Sequence, residues 1–133
     1  AGARVGKFEF GLGSTQHMSN DFPIFRYSDV LLMRAEALFR LGQTGGEGLD
    51  LVNQLRDRAG LDPLASLTEE NLINERGFEM FAEASRRSDL IRFGRFNNAW
   101  RFKDASDPTK NIFPIPESQI NANPNLTQNP GYN

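Results

Sequence analysis

Three glutamates at helical spacing, Glu75, Glu79 and Glu83, are the residues of this chain best placed to do chemistry. Positions i, i+4 and i+8 share one face of a helix. Paired carboxylates carry the acid–base work of glycoside hydrolysis. Carboxylates on a helical bundle can also hold metal ions, but that arrangement uses a Glu-x-x-His motif, and the single histidine, His17, stands far away in sequence. The neighbouring residues favour a third use. Bare carboxylates in a row repel one another, yet the stretch Glu75–Arg95 also supplies Arg76, Arg86, Arg87, Arg92 and Arg95, with Asp89 as a further acid. The guanidinium fork meets a carboxylate at two points and keeps its charge when partly buried. Glu75, Arg76, Glu79, Glu83, Arg87, Asp89 and Arg92 therefore read as a structural charge network that fixes two consecutive helices. No catalytic residue and no metal ligand is assigned, and no cofactor is expected.

A second candidate follows that stretch. Trp100 is the one tryptophan, and Arg95 and Phe96 precede it in a segment where aromatic and cationic residues interleave. An aromatic face can stack on the C–H face of a sugar ring while Arg or Asn bonds the hydroxyls. Trp100, Arg95 and Phe96 are thus candidate carbohydrate contacts. The plainer alternative is that Trp100 caps a helical core, as large aromatics commonly do.

Composition narrows the classes. The chain has 133 residues, a net charge of -2, no cysteine, and arginine at 12 of its 15 basic positions. One domain, or part of one, fits that length. There is no basic excess and no lysine-rich tract, so no nucleic-acid partner is expected. Without cysteine there is no disulfide framework, thiolate metal site or thiol nucleophile. No stretch approaches the roughly 18 apolar residues of a membrane-spanning helix.

The elements that must position these residues are helices. The lead-in 1–27 is expected to be extended or irregular, with a short strand or extended run near residues 5–10. Ser28 is a candidate N-cap for a first helix at Asp29–Leu41, with Leu31, Ala35 and Leu38 as its stripe and Gly42 as its stop. Thr44 and Glu47 have capping-box spacing before a second helix at Gly46–Ala59. Together they make a hairpin of tetratricopeptide size. Thr68 caps a third helix at Glu69–Ala84, with Leu67 and Leu72 at hydrophobic-staple spacing. A short fourth helix at Arg86–Phe93 ends at Gly94 and completes a second hairpin. The tail 95–133 is rich in Asn and Pro, which no long helix survives. Pro116 can open one turn at Glu117–Ile120, and Ile112, Phe113, Ile115, Ile120, Leu126 and Tyr132 are its expected apolar anchors over the helices. The expectation is an all-α chain: tetratricopeptide-like hairpins across 28–94 and a long irregular tail.

Four blocks also carry a resemblance. ERGFEMFAEASRRSDLIRFG (Glu75–Gly94) is similar to the ERxxEhxxEgxRxxDLxRxG run of the SusD/RagB family, departing at Ala84, where the family usually has Gly, and at Phe93, where Trp is common. FRYSDVLLMRAEAL (Phe25–Leu38), VNQLRDRAGL (Val52–Leu61) and FPIPESQINANPNLTQNPGY (Phe113–Tyr132) resemble the family in the right order. The resemblance is to its C-terminal portion. It implies non-catalytic capture of a glycan at the outer-membrane surface of Bacteroidetes and delivery to a SusC-like TonB-dependent transporter. It also implies a lipid anchor on the full-length protein, so the chain is expected to be a fragment lacking signal peptide and lipidated cysteine. The alternative is a helical-repeat interaction scaffold without its own sugar site. No family binding residue maps onto this chain by motif.

Overall fold

The computed structural model describes residues 6–8, 11–13, 15 and 20–132. The expected strand near residues 5–10 and His17 fall largely or wholly outside that set. Among the described residues the structure is helical with no strand, in line with the all-α expectation. Among the described residues no helix is long and apolar enough to cross a membrane. The chain divides into two compact units, Ala1–Arg86 and Arg87–Asn133.

The first unit holds α1 (Tyr27–Arg40), α2 (Glu47–Arg58) and α3 (Glu69–Glu79). Helix α1 packs against both of the others. Its buried face is Ser28, Asp29, Leu31, Leu32, Ala35 and Glu36. Leu32, Val52 and Leu72 are wholly buried, and Leu67 nearly so. Removing each such side chain from water contributes about 1.5–3 kcal/mol. Gly48 sits where a Cβ would press on Leu67 and on the carbonyl of Ala35, so the α1–α2 approach depends on a small residue there.

The helix ends depart from the sequence expectations in three places. Helix α1 begins at Tyr27, with Arg26 in extended conformation as N-cap and no side-chain cap. Ser28 lies one residue inside the helix, buried. Helix α2 starts behind Gly46 at φ 61°, again without a side-chain cap. The proposed Thr44–Glu47 box does not form: the Thr44 carbonyl accepts from the Leu67 amide at 2.7 Å, and Glu47 pairs with Arg34 at 2.7 Å. By contrast Thr68 does cap α3. Its hydroxyl accepts from the Asn71 amide at 3.1 Å, and the Asn71 side chain accepts in return from the Thr68 amide at 2.7 Å.

The largest departure is at the end of α3. The helix stops at Glu79, five residues before the expected Ala84, and turns follow to residue 84. Ala82 and Ala84 take left-handed backbone conformations, φ 62° and 59°. That geometry costs a non-glycine residue about 1–2 kcal/mol. It also explains a detail of the sequence, because Ala84 occupies the position where the resembling family usually has glycine, the residue that adopts left-handed φ without steric cost.

The second unit holds α4 (Arg86–Arg92) from Arg87 onward, a 3₁₀ turn (Pro108–Asn111) and α5 (Glu117–Ala122). Polar groups grip its tail more than the expected apolar anchors do. Phe113 is 69% exposed and Leu126 38%. The Gln128 amide instead pairs with the backbone of Ile115 in both directions at 2.8 Å, mimicking one rung of a strand ladder. Asn129 donates to the Phe113 carbonyl at 2.7 Å and Tyr132 to the Ile112 carbonyl at 2.9 Å. An Asn- and Gln-rich segment without helix has unpaired backbone groups to satisfy, and these side chains reach them. Gly131 takes φ 83°, and a Cβ there would lie 2.8 Å from the Thr109 side chain.

Candidate functional site

The first cluster is the glutamate row. Because α3 ends at Glu79, only Glu75 and Glu79 lie on the helix, and Glu83 reaches the same side from the following turn. Their cationic partners come from elsewhere than the arginines of the same stretch. Glu75 pairs with Arg56 near the end of α2. Glu79 receives Arg26 on one oxygen and Arg58 on both, at 2.7 and 2.6 Å. Glu83 bridges Arg26, at 2.7 Å, and Lys7. Lys7 also donates to the carbonyls of Glu79 at 2.7 Å and Phe81 at 3.0 Å, and Arg26 donates to the Glu79 carbonyl. The end of α3 is therefore capped by two cations from the lead-in, where the helix dipole favours positive charge. The expected network across two consecutive helices is thus rearranged in the first unit, where it ties the lead-in and the end of α2 to α3.

The local arginines serve other groups. Arg76, buried, pairs with the buried Asp29 of α1 at 3.0 Å. Arg86 donates to the Ile73 carbonyl at 2.6 Å, its guanidinium lying against Gly77. In the second unit Arg92 pairs with Asp89 at 2.8 Å across one helical turn. Arg87 donates to the carbonyls of Lys110 and Asn111 at 3.0 and 3.2 Å. Sequence spacing could not reveal Arg26, Arg56, Arg58 and Lys7 as partners, because they meet the glutamates only once the helices pack.

Electrostatics follow from this geometry. Burial pushes the Glu79 pKa up, but hydrogen bonds from Arg26, Arg58 and Ser28 outweigh it and hold the carboxyl down to about 2. Glu83 is lowered in the same way: burial opposes its charge, and Arg26 and Lys7 overcome it. Burial also works against the Arg26 charge, yet Glu83 and Glu79 raise its pKa above the ordinary guanidinium value. A general acid for glycoside cleavage needs the opposite, a carboxyl raised toward neutral pH. Among the described residues no group of three or more His, Cys, Asp or Glu could hold a metal ion.

Beside α3 the premature turn opens a cavity of about 620 Å³ lined by Gly77, Phe78, Met80, Phe81, Ala82 and Arg86, among others. Nothing in the sequence points to it, because Gly77–Ala82 read there as continuous helix.

The second cluster follows α4. Trp100 and Lys103 pair as a single antiparallel bridge, each amide donating to the other's carbonyl at 2.9 Å, with Arg101 and Phe102 forming the turn between them. The Lys103 ammonium lies 4.6 Å from the Trp100 ring centroid and 5.8 Å from that of Phe96. It also donates to the carbonyls of Asn98 and Asp104 and to the Ser106 hydroxyl, at 3.0–3.3 Å. Asn97 accepts from Ser106 and donates to Asn111, closing the base of the loop at 3.0 and 2.9 Å. A loop braced this way presents its side chains with little ordering left to do on binding. Trp100 is 47% exposed. Phe96 is half-buried with Arg87 as well as Lys103 over its ring, at 5.0 and 5.8 Å, and Arg95 is half-buried too. Of the three sequence candidates, Trp100 is the one that offers an open aromatic face. Phe102, 87% exposed beside it, did not figure among them.

A model described as the SusD family matches residues 9–132. Among curated proteins, the Starch-binding protein SusD of Bacteroides thetaiotaomicron is 42% identical over 122 residues, which is 84% of this chain and 22% of that protein. SusD-like protein P38 of Formosa agariphila is 33% identical over 122 residues, 82% of this chain and 24% of that one. Among solved structures, Surface glycan-binding protein A from Bacteroides uniformis superposes with a TM-score of 0.73 at 29% identity, covering 83% of this chain and 28% of that one. A laminarin-binding SusD-like protein gives 0.71 at 31% identity, covering 82% and 23%. The chain spans roughly a quarter of the length of these relatives.

Proposed function

The chain belongs to the SusD family, and on that premise we propose that it takes part in capturing a glycan at the bacterial outer surface without cleaving it. The observation that carries this reading is Trp100: a half-exposed ring on a loop braced by Lys103, Asn97 and Ser106. With the Lys103 ammonium over the ring, the exposed part of the indole is left to a sugar's C–H face. Relatives named as starch-binding, glycan-binding and laminarin-binding support the ligand class. The carboxylates support a binding role too, since Glu79 is ionised and occupied by two guanidinium groups and has no proton to give a leaving group near neutral pH. In this reading the bound saccharide passes to a SusC-like TonB-dependent transporter in the outer membrane, to which the full-length protein is held by a lipid anchor.

As the single tryptophan, Trp100 is also an optical probe. Titration with a panel of oligosaccharides should shift or quench its emission for at least one of them, and Trp100→Ala should abolish binding of that sugar measured by calorimetry while far-ultraviolet circular dichroism stays unchanged. Binding that survives Trp100→Ala would refute the placement of the site. Release of reducing sugar by the wild-type chain would refute the non-catalytic reading.

A second reading, a helical interaction scaffold, rests on a specific surface. Tyr27, Val30 and Met33 run along α1 at 72%, 49% and 43% exposure. Their spacing is that of one helix face, and it is the face opposite to the one packed on α2 and α3.

A further inference from the structure

Resting on the capture reading above, we propose that the Trp100–Lys103 turn selects an acidic glycan, one bearing carboxylate or sulfate groups, and that Arg101 is the residue that reads the charge. The second unit carries six Lys and Arg against four Asp and Glu, whereas the whole chain is net negative. Four of the other five cations are committed elsewhere, and Arg95 is half-buried with interactions of its own. Arg87 is engaged by two carbonyls and by the rings of Phe96 and Phe113. Arg92 pairs with Asp89. Lys103 spends its three donors on Asn98, Asp104 and Ser106. Lys110 lies over the Tyr132 ring at 4.5 Å. Among the acids, Asp107 accepts from the Thr109 amide at 2.8 Å.

Arg101 is different. It is exposed at the tip of the turn, and its contact is a stack over the Phe102 ring at 4.8 Å. A cation–π contact of this kind steadies the guanidinium without using up its N–H donors, which stay available to an acceptor. Planar, bidentate recognition of a carboxylate or a sulfate ester is the task for which this group is suited. Trp100 and Arg101 are consecutive residues of the turn, and both are exposed. In this proposal a sugar stacked on the open part of Trp100 places an acidic substituent of its own ring, or of the next ring, at Arg101. A neutral glycan would use the Trp100 face and leave Arg101 in water. An acidic one would use both, and the net positive unit would speed its approach and make binding sensitive to salt.

The test uses oligogalacturonate, the same oligosaccharide with its carboxyl groups reduced to alcohols, a sulfated oligosaccharide, and malto-oligosaccharide, each titrated by calorimetry into the wild-type chain, Arg101→Gln and Trp100→Ala. Expected are at least about tenfold weaker binding of the reduced than of the acidic form, a loss of about tenfold or more for the acidic ligand in Arg101→Gln, and weakening of that binding as salt rises through the physiological range. Preference for the sulfated over the carboxylated ligand would identify which anion is read. Equal binding of acidic and reduced forms, with Arg101→Gln unchanged and Trp100→Ala inactive, would overturn the charge selection and leave glycan capture standing. Failure of the wild-type chain to bind any of the ligands would overturn both. Arg101 is exposed, so circular dichroism of Arg101→Gln should superpose on that of the wild type and confirm that an affinity change is local.

Discussion

Glu79→Gln isolates what the glutamate cluster contributes to stability. The substitution keeps the shape and removes the charge that meets Arg26 on one oxygen and Arg58 on both. The carboxyl is held at about 2 instead of its ordinary 4.5, and a difference of that size corresponds to at most about 3.4 kcal/mol of stability at neutral pH. Solvent reduces this. Glu79 keeps 15% of its side-chain surface exposed and Arg58 58%, so roughly half the ceiling, about 1.5 kcal/mol, is the reasoned figure. For a chain of this length the unfolding entropy is about 280 cal/mol/K, which makes the expected fall in Tm about 5 °C. Because the folded pKa is depressed, the contribution is complete above about pH 4.5 and disappears as the pH falls toward about 2. Urea denaturation followed by circular dichroism at a series of pH values should therefore show wild type and Glu79→Gln well separated near neutral pH and converging below about pH 4.5. A variant with unchanged Tm would refute the ion-pair account. So would a stability difference that stays constant down to the acid limit, which would mean that the loss comes from packing and not from charge.

Two further predictions concern backbone and cap. Ala84→Gly should raise stability by about 0.5–1 kcal/mol in the same urea assay, because relief of the left-handed strain at φ 59° exceeds the added freedom of glycine in the unfolded chain; a loss of stability would mean that the Ala84 methyl does more for packing than its conformation costs. Thr68→Ala should lower stability by about 1 kcal/mol by removing the acceptor for the Asn71 amide, and Thr68→Ser should restore most of it; equal losses in the two variants would place the effect in the methyl group and not in the cap.

The sequence by itself determined that the helices exist and their order, the Thr68 cap and the family, and it singled out Trp100 as the aromatic to test. These rest on local rules: a hydroxyl at N-cap spacing, an apolar stripe at the period of a helix, an ordered set of motif blocks. It also put Glu75, Glu79 and Glu83 together, though for a reason that holds only in part. The tertiary structure decided the rest. It ended α3 at Glu79, since capping of its last carbonyls by Lys7 and Arg26 and the turns at Ala82 and Ala84 are settled by groups remote in the chain or by strain that propensity does not record. It chose Arg26, Arg56 and Arg58 over nearby arginines, because an ion pair needs a few ångströms in space and is indifferent to separation along the chain. And it separated Trp100 from Phe96 and Arg95 by exposure: the lysine that braces Trp100 leaves part of its ring open, while Phe96 and Arg95 are half-buried and two cations lie over the Phe96 ring.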